Sequence, residues 1–242
     1  MRCWRWPGVQ RSKRPAPRED ASDSHHSGIG HSMRKYGAIG RMLAFLLAVS
    51  GLNACVGTTT PPQGTPQALL AAVTKSDVRD YWTNDFGRAK RTGGYSVIVP
   101  VERAQALLES IRGQVPSGYV AFVGTTHNLD DPSIKGAELV MAPGQDQFDI
   151  VRLAATDAVN HGKTTDQIIE ELKRWDAQFG IDIWQAETDT IQLKLKSLPE
   201  DLPAFSQRMY EFCPDIVDQG VGDIESLQAA VEQDGAIFLW WD

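Results

Sequence analysis

Apolar residues recur along the chain in two alternating rhythms, and beyond residue 94 the rhythms predict elements almost without a gap. Residues 95–99 are β-branched and end at Pro100, which reads as a strand. Ala104, Leu107, Leu108 and Ile111 follow at helical spacing up to Gly113. Residues 119–123 and 137–141 read as two further strands, joined by a polar loop containing His127, Asp130, Asp131 and Pro132. Residues 147–160 place Ile150, Leu153, Ala154 and Ala158 on one helical face. A clearer helix begins with Thr165 as N-cap, carries Ile168, Ile169, Leu172, Trp175 and Phe179 as its stripe, and stops at Gly180. Residues 181–187 and 190–196 form strands around a turn at Thr188-Asp189. In the second, Ile191, Leu193 and Leu195 alternate with Gln192, Lys194 and Lys196, so one face of the sheet should be wet there. Leu202, Phe205, Met209 and Phe212 mark a helix that Cys213-Pro214 ends. Asp223 caps a last short helix through Ile224, Leu227 and Val231, and the fully apolar 236–241 should be a central or tightly covered strand.

Strands and helices are mixed without regular β-α alternation, and neighbouring strands are often separated only by turns. This predicts the α+β class: a mostly antiparallel sheet with helices packed on one face, a two-layer sandwich. Its extent is expected to be 95–242. Residues 55–94 are expected to be a Thr/Pro/Gly-rich tether followed by an amphipathic helix, which starts near Pro66, carries Leu69, Leu70, Val73, Val78 and Tyr81, and runs to about Trp82.

The N-terminal part follows a different pattern. Residues 1–32 are rich in Arg, Pro, Ser and His with few aliphatics, which predicts disorder and an upstream extension before a true start at Met33. Arg34, Lys35 and Arg41 then flank the apolar run 42–49, too short for a membrane span and of signal-peptide length. Leu52-Asn53-Ala54-Cys55 resembles the lipobox of bacterial lipoproteins, although Asn53 is a less usual occupant of its position. The resemblance makes 33–54 a signal peptide and Cys55 a lipidated mature N-terminus, so the expected location is the cell envelope, with the membrane engaged through lipid. Val56, where an Asp would favour retention at the inner membrane, implies the outer membrane facing the periplasm.

Charge sharpens this division. Residues 1–55 hold nine basic and three acidic side chains, whereas the remainder holds fifteen and twenty-eight, a net charge of −13. A domain that acidic repels phosphates, so nucleic acid is not an expected partner and basic or neutral partners are favoured. The three cysteines, Cys3, Cys55 and Cys213, have no zinc-type or disulfide-framework spacing. No cofactor, metal site or catalytic residue is read from the sequence.

The most chemically dense stretch is Phe212-Cys213-Pro214-Asp215-Ile216-Val217-Asp218-Gln219-Gly220. Together with Leu239-Trp240-Trp241-Asp242 and Trp175-Asp176-Ala177-Gln178-Phe179-Gly180, it resembles the bacterial domain of unknown function family 4253 over about the last hundred residues. That resemblance implies a domain identity and supplies no catalytic residues. Cys213, Asp215, Asp218, Gln219, Trp241 and Asp242 form the candidate binding loop, and Glu187 and Asp189 are carboxylates expected near it. Cys213 reads first as a packed thiol, with His127 or His161 able to approach it only in the fold. Asp215, Asp218 and Asp189 read first as capping and turn residues. Trp240 and Trp241, adjacent on a strand, point to opposite faces; Phe212 and Ile216 are expected to anchor the loop against Phe238 and one of the two tryptophans, and loss of the Trp240 ring is expected to destabilise the domain.

The expected function is that of an acidic, envelope-anchored module that binds a protein or small molecule, as an immunity or inhibitor protein would. The alternative is a carboxylate- or metal-dependent hydrolase using Asp215, Asp218 and His127.

Overall fold

The computed structural model of the chain describes residues 64–74, 76–85, 88–126 and 133–242. The segment 1–32, the signal segment, Cys55 and His127 therefore lie outside the described residues. The elements run α1 (Pro66–Val73), β1 (Arg79–Asp85), β2 (Arg88–Val99), α2 (Val101–Arg112), β3 (Tyr119–Val123), β4 (Ala137–Pro143), α3 (Phe148–Ala154), α4 (Thr165–Phe179), β5 (Ile181–Ala186), β6 (Thr190–Leu195), α5 (Leu202–Phe212), α6 (Ile224–Asp234) and β7 (Ala236–Trp240). A single 3₁₀ turn at Val159–His161 and a π turn at Ile216–Val221 complete them.

The seven strands form one open sheet in the order β1-β2-β4-β3-β5-β6-β7. Every neighbouring pair is antiparallel except β3 with β5, which meet in parallel through Val123 and Gln185. The α+β class and the mostly antiparallel sheet stand as the sequence implies. The layering is richer than a sandwich with one helical face. On one side Phe122, Val140, Ile183, Ile191, Leu193, Ile237 and Leu239 pack with α3, α4, α5 and α6. On the other, Val97, Val99, Ala121, Val123, Leu139 and Met141 are covered by Leu70 of α1 and by Ala104, Leu108 and Ile111 of α2. The physical reason is legible in β4, whose residues are buried on both faces from Ala137 to Ala142 and so need a layer on each side. Over β6, by contrast, Lys194 is exposed and Gln192 half-buried, so the second face is wet there as expected.

Two further elements depart from the sequence pattern. The expected helix to Trp82 ends at Val73, and the chain turns into the β1–β2 hairpin, which carries Tyr81 into the core. Thr74 and Ser76 make the break: Thr74 Oγ1 accepts from the Ser76 N–H at 3.0 Å, and the Ser76 hydroxyl donates to the Ile98 carbonyl at 2.9 Å. The last strand, β7, lies at the sheet edge rather than in its centre. The side chains of Ile237 and Leu239 are buried because α6, the π turn and the loop after α5 wrap that edge.

In α4 the N-cap is Thr164, one residue before the expected position. It forms a reciprocal capping box with Gln167, which fixes where the helix begins.

Candidate functional site

The strand directions place the carboxyl ends of β2, β3, β5 and β7 along one rim of the sheet. The turn after β5 and the end of β7 meet there, where the Trp241 N–H donates to the Asp189 carbonyl at 3.0 Å. Most sequence-predicted site residues gather on this rim, in two adjoining groups.

The first group ties the loop after α5 to β7. Cys213 is fully buried, and its Sγ donates to the Trp240 carbonyl at 2.9 Å while the Trp240 N–H donates back at 3.3 Å. Two residues on, Asp215 Oδ2 accepts the Asp242 N–H at 2.9 Å. The Cys-x-Asp spacing thus matches the two-residue repeat of outward-facing amides on an edge strand, so two side chains stand in for a missing neighbour strand. The ring of Trp241, only 4% exposed, meets Phe212 edge to face at 5.6 Å, and its Nε1–H donates to the Phe212 carbonyl at 3.3 Å. Phe212 in turn meets Trp175 at 5.5 Å. The anchoring tryptophan is therefore Trp241; Trp240, whose ring is expected from the sequence to be needed, is half-buried and contributes its backbone.

Asp215 is the centre of this group. Besides Asp242 it accepts from Gln219 Nε2 at 3.1 Å and contacts His161 Nε2 at 2.8 Å. Burial pushes its carboxyl up, but the Asp242 amide, Gln219 and His161 outweigh burial and hold it below the ordinary aspartate range. Burial pushes the Cys213 thiol up to about 12, against the opposing pull of the Trp240 and Ile216 backbone. Such a thiol is protonated at neutral pH and is no nucleophile. His161 reaches Asp215 because Ala155 adopts a left-handed conformation (φ 54°), ends α3 early and turns the chain into the 155–163 loop. Asp218 lies apart: it is exposed and accepts from the Tyr210 hydroxyl at 3.2 Å. Asp215 and Asp218 therefore do not converge, and among the described residues no set of three His, Cys, Asp or Glu side chains is arranged to hold a metal ion.

The second group sits between β3 and β5. Glu187 Oε1 accepts from Thr126 Oγ1 at 2.5 Å and from Gln185 Nε2 at 3.0 Å, while Gln185 Oε1 accepts from Gln192 Nε2. Burial pushes the Glu187 carboxyl up to about 7 in spite of the Thr126 hydrogen bonds, and the charge of Asp189 adds to the rise. Close by, Glu138 Oε1 is paired with Arg79 Nη2 at 2.5 Å and accepts from Ser96 Oγ at 3.0 Å. Thr126 carries no sequence signal of a site, because only the pairing of β3 with β5 brings it to Glu187.

Residues 138–242 match the family model described as Domain of unknown function (DUF4253). That part of the chain belongs to this family. No curated protein and no solved structure matches the chain. The DUF4253 segment spans almost all of β4 and everything after it, so Glu138, His161, Glu187, Cys213, Asp215 and Trp241 are its own. Tyr81, Arg79 and Thr126 come from the preceding part. The segment is also where acidity concentrates. Residues 197–242 hold ten acidic side chains and one basic one, Arg208, and every acidic residue but Asp215 is exposed.

Proposed function

We propose that the protein is an envelope-anchored lipoprotein, tethered through Cys55, whose DUF4253 domain recognises a basic partner in the manner of an immunity or inhibitor protein. The observation that carries this reading is the imbalance of ten acidic residues against Arg208 on α5, the π turn, α6 and the chain end. Net charge of that density steers association with a cationic surface and speeds encounter more than it tightens the complex. The candidate loop supports recognition rather than chemistry. Its thiol is buried and protonated, Asp215 is occupied by internal hydrogen bonds, and Asp218 faces outward. The loop's part is to hold the acidic surface rigid against β7.

A second reading, a hydrolase, has one observation in its favour: the His161–Asp215 pair at 2.8 Å has the geometry of an oriented histidine, with His161 as the partner of Asp215 in place of the His127 expected from the sequence.

The test combines fractionation and charge reversal. Cys55→Ser should move the protein from the membrane to the soluble fraction. Partners crosslinked in intact envelopes should be basic, should dissociate with added salt, and should be lost from a Glu200→Lys, Glu211→Lys, Glu225→Lys, Glu232→Lys variant that keeps the native circular dichroism. A partner retained by that variant at the same salt dependence overturns the acidic-surface reading. Hydrolytic turnover abolished by His161→Gln would favour the second.

A further inference from the structure

The outer surface of the layer made by α1 and α2 is unlike that of the acidic helices. α1 reads Pro-Gln-Ala-Leu-Leu-Ala-Ala-Val and carries no charge on any face. Leu70 is buried against the sheet, but Ala71 and Ala72 are exposed, and Leu69 and Val73 are half-buried. A helix without a polar face is ordinarily covered all round, whereas one lying on a water-facing layer turns charged residues outward. The apolar surface continues to α2, where exposed Pro100 leads into Val101, itself 52% exposed. Between the two helices runs a groove of about 420 Å³, lined by Val73, Val99, Pro100, Leu107 and Arg103 among others and by no carboxylate.

Charge sets this surface further apart. The two acidic and two basic residues of α2 cancel, and of these Glu109 is held by Lys194 and Arg112 by Asp182. Arg103 stays exposed. The acidic helices α5 and α6 pack on the opposite side of the sheet. The domain is therefore polarised, with one side strongly negative and the other neutral and apolar, with an arginine lining its groove.

The course of the chain selects what covers the neutral side. Pro66 follows Cys55 by eleven residues. Such a stretch reaches at most about 40 Å when fully extended. With Cys55 acylated, α1 is the first described element beyond the lipid, and the tether presents the leaflet to it at high effective concentration. The chemistry of the surface matches that neighbour. Apolar side chains enter the boundary between headgroups and acyl chains, and an arginine beside them pairs with a lipid phosphate. An anionic leaflet repels the side bearing α5 and α6, so the same field turns α1 toward the lipid.

We propose that α1 and the first turn of α2 form a membrane-facing surface that rests on the leaflet holding the Cys55 lipid, which turns the acidic helices away from the bilayer and toward their partner. This orientation rests on the lipoprotein reading for its tether, but acylation alone does not produce it.

The test places a nitroxide at Ala72→Cys, Val101→Cys or Glu225→Cys in the protein expressed as the full chain; the buried Cys213 thiol does not take the label in the folded state. Mass spectrometry of the N-terminal peptide establishes whether Cys55 is acylated, and the protein is then reconstituted in vesicles of phosphatidylethanolamine and phosphatidylglycerol. Collisions of each label with oxygen and with a water-soluble nickel chelate are measured. Lipid concentrates oxygen and excludes the chelate, whereas burial against protein lowers both. The expected result is a severalfold higher oxygen-to-chelate ratio at positions 72 and 101 than at 225. In an acylated protein, equal ratios at all three positions overturn the membrane-facing surface and leave the anchor standing. Lowered collisions with both reagents at 72 and 101 assign the surface to a second copy or to the chain itself, and overturn it as well. A Cys55 without acyl chains overturns the anchor and the orientation together, and the mass spectrum tells that failure from the others. Ala71→Glu with Ala72→Glu, both at exposed positions, should keep the native circular dichroism and the acyl chains yet return the Val101→Cys label to the chelate. Chelate access that this variant leaves unchanged removes α1 from the surface.

Discussion

The thiol of Cys213 and the main chain of Trp240 are hydrogen-bonded in both directions, sulfur to carbonyl at 2.9 Å and amide to sulfur at 3.3 Å. A cysteine here does the work of a strand. Replacing it by alanine leaves a buried N–H and C=O of β7 unmatched, and should cost about 1–3 kcal/mol in chemical denaturation. The same geometry protects the sulfur. Alkylation of Cys213 in the native protein should proceed only as fast as the domain opens, and rapid modification without denaturant would contradict the buried, protonated thiol.

Asp215 should govern the acid limb of stability. Its folded carboxyl lies below the ordinary aspartate value, so its contribution is complete above that value and disappears as pH falls through the folded one. Asp215→Asn should lower the melting temperature at neutral pH and flatten its decline in acid. An unchanged acid limb would mean that the Asp242, Gln219 and His161 contacts do not stabilise the ionised form.

Phe212 and Trp241 carry the aromatic contact that fastens the loop. Phe212→Ala and Trp241→Ala should each cost about 3–5 kcal/mol, Trp240→Ala less because its ring is half-buried, and Asp218→Asn at most about 0.5 kcal/mol. Thermal melts of the four variants check the order; an Asp218→Asn as damaging as Phe212→Ala would dissolve the distinction between anchor and surface.

Glu187 acts with the opposite sign from Asp215. Its folded value near 7 lies above its unfolded value of 4.5, so the stability linked to its protonation is present below pH 4.5 and lost as pH rises through 7. Glu187→Gln, which keeps an amide in place of the neutral acid, should stabilise the domain by about 1–3 kcal/mol above neutrality and leave it unchanged near the unfolded value. Tyr81→Phe should also hold or raise the melting temperature, since it removes a buried hydroxyl that makes no hydrogen bond among the described residues. Denaturation curves across pH check both, and a loss of stability in Glu187→Gln at high pH would show the carboxylate to be favourably ionised.

Much of the fold could be read from local signals, because those signals decide locally. The stripe from Ile168 to Phe179, the alternation from Ile191 to Leu195 and the Asp223 cap all correspond to observed elements. Pattern and structure part where two rhythms overlap. Val78 and Tyr81 continue the helical spacing of Leu69 to Val73, yet the hydroxyls of Thr74 and Ser76 redirect the backbone between them. Ala158 likewise extends the spacing of α3 beyond the left-handed turn at Ala155. The site was only partly legible. Cys213, Asp215 and Trp241 stood out by composition, but His161 meets Asp215 across 54 residues, and no spacing rule reports such a pairing. Nor does a sequence record desolvation, which is what sets Glu187 apart from the other glutamates of a chain rich in them.

The parallel contact of β3 with β5 has a consequence for assembly. Residues 79–143 supply β1, β2, β4 and β3, a run of antiparallel neighbours that needs nothing from the rest of the chain to pair, and residues 181–240 supply β5, β6 and β7 in the same way. The two ribbons meet at a seam, with β3 inserted between β4 and β5 although β4 follows it in sequence. During synthesis the first ribbon can close before β5 emerges, presenting β3 as the template on which the later strands dock. A fragment cut at Glu138 would carry the whole DUF4253 segment and still lack that template. Its β4 and β5 would be left without the strand that joins them, so in this chain the boundary of kinship and the boundary of a foldable unit fall in different places.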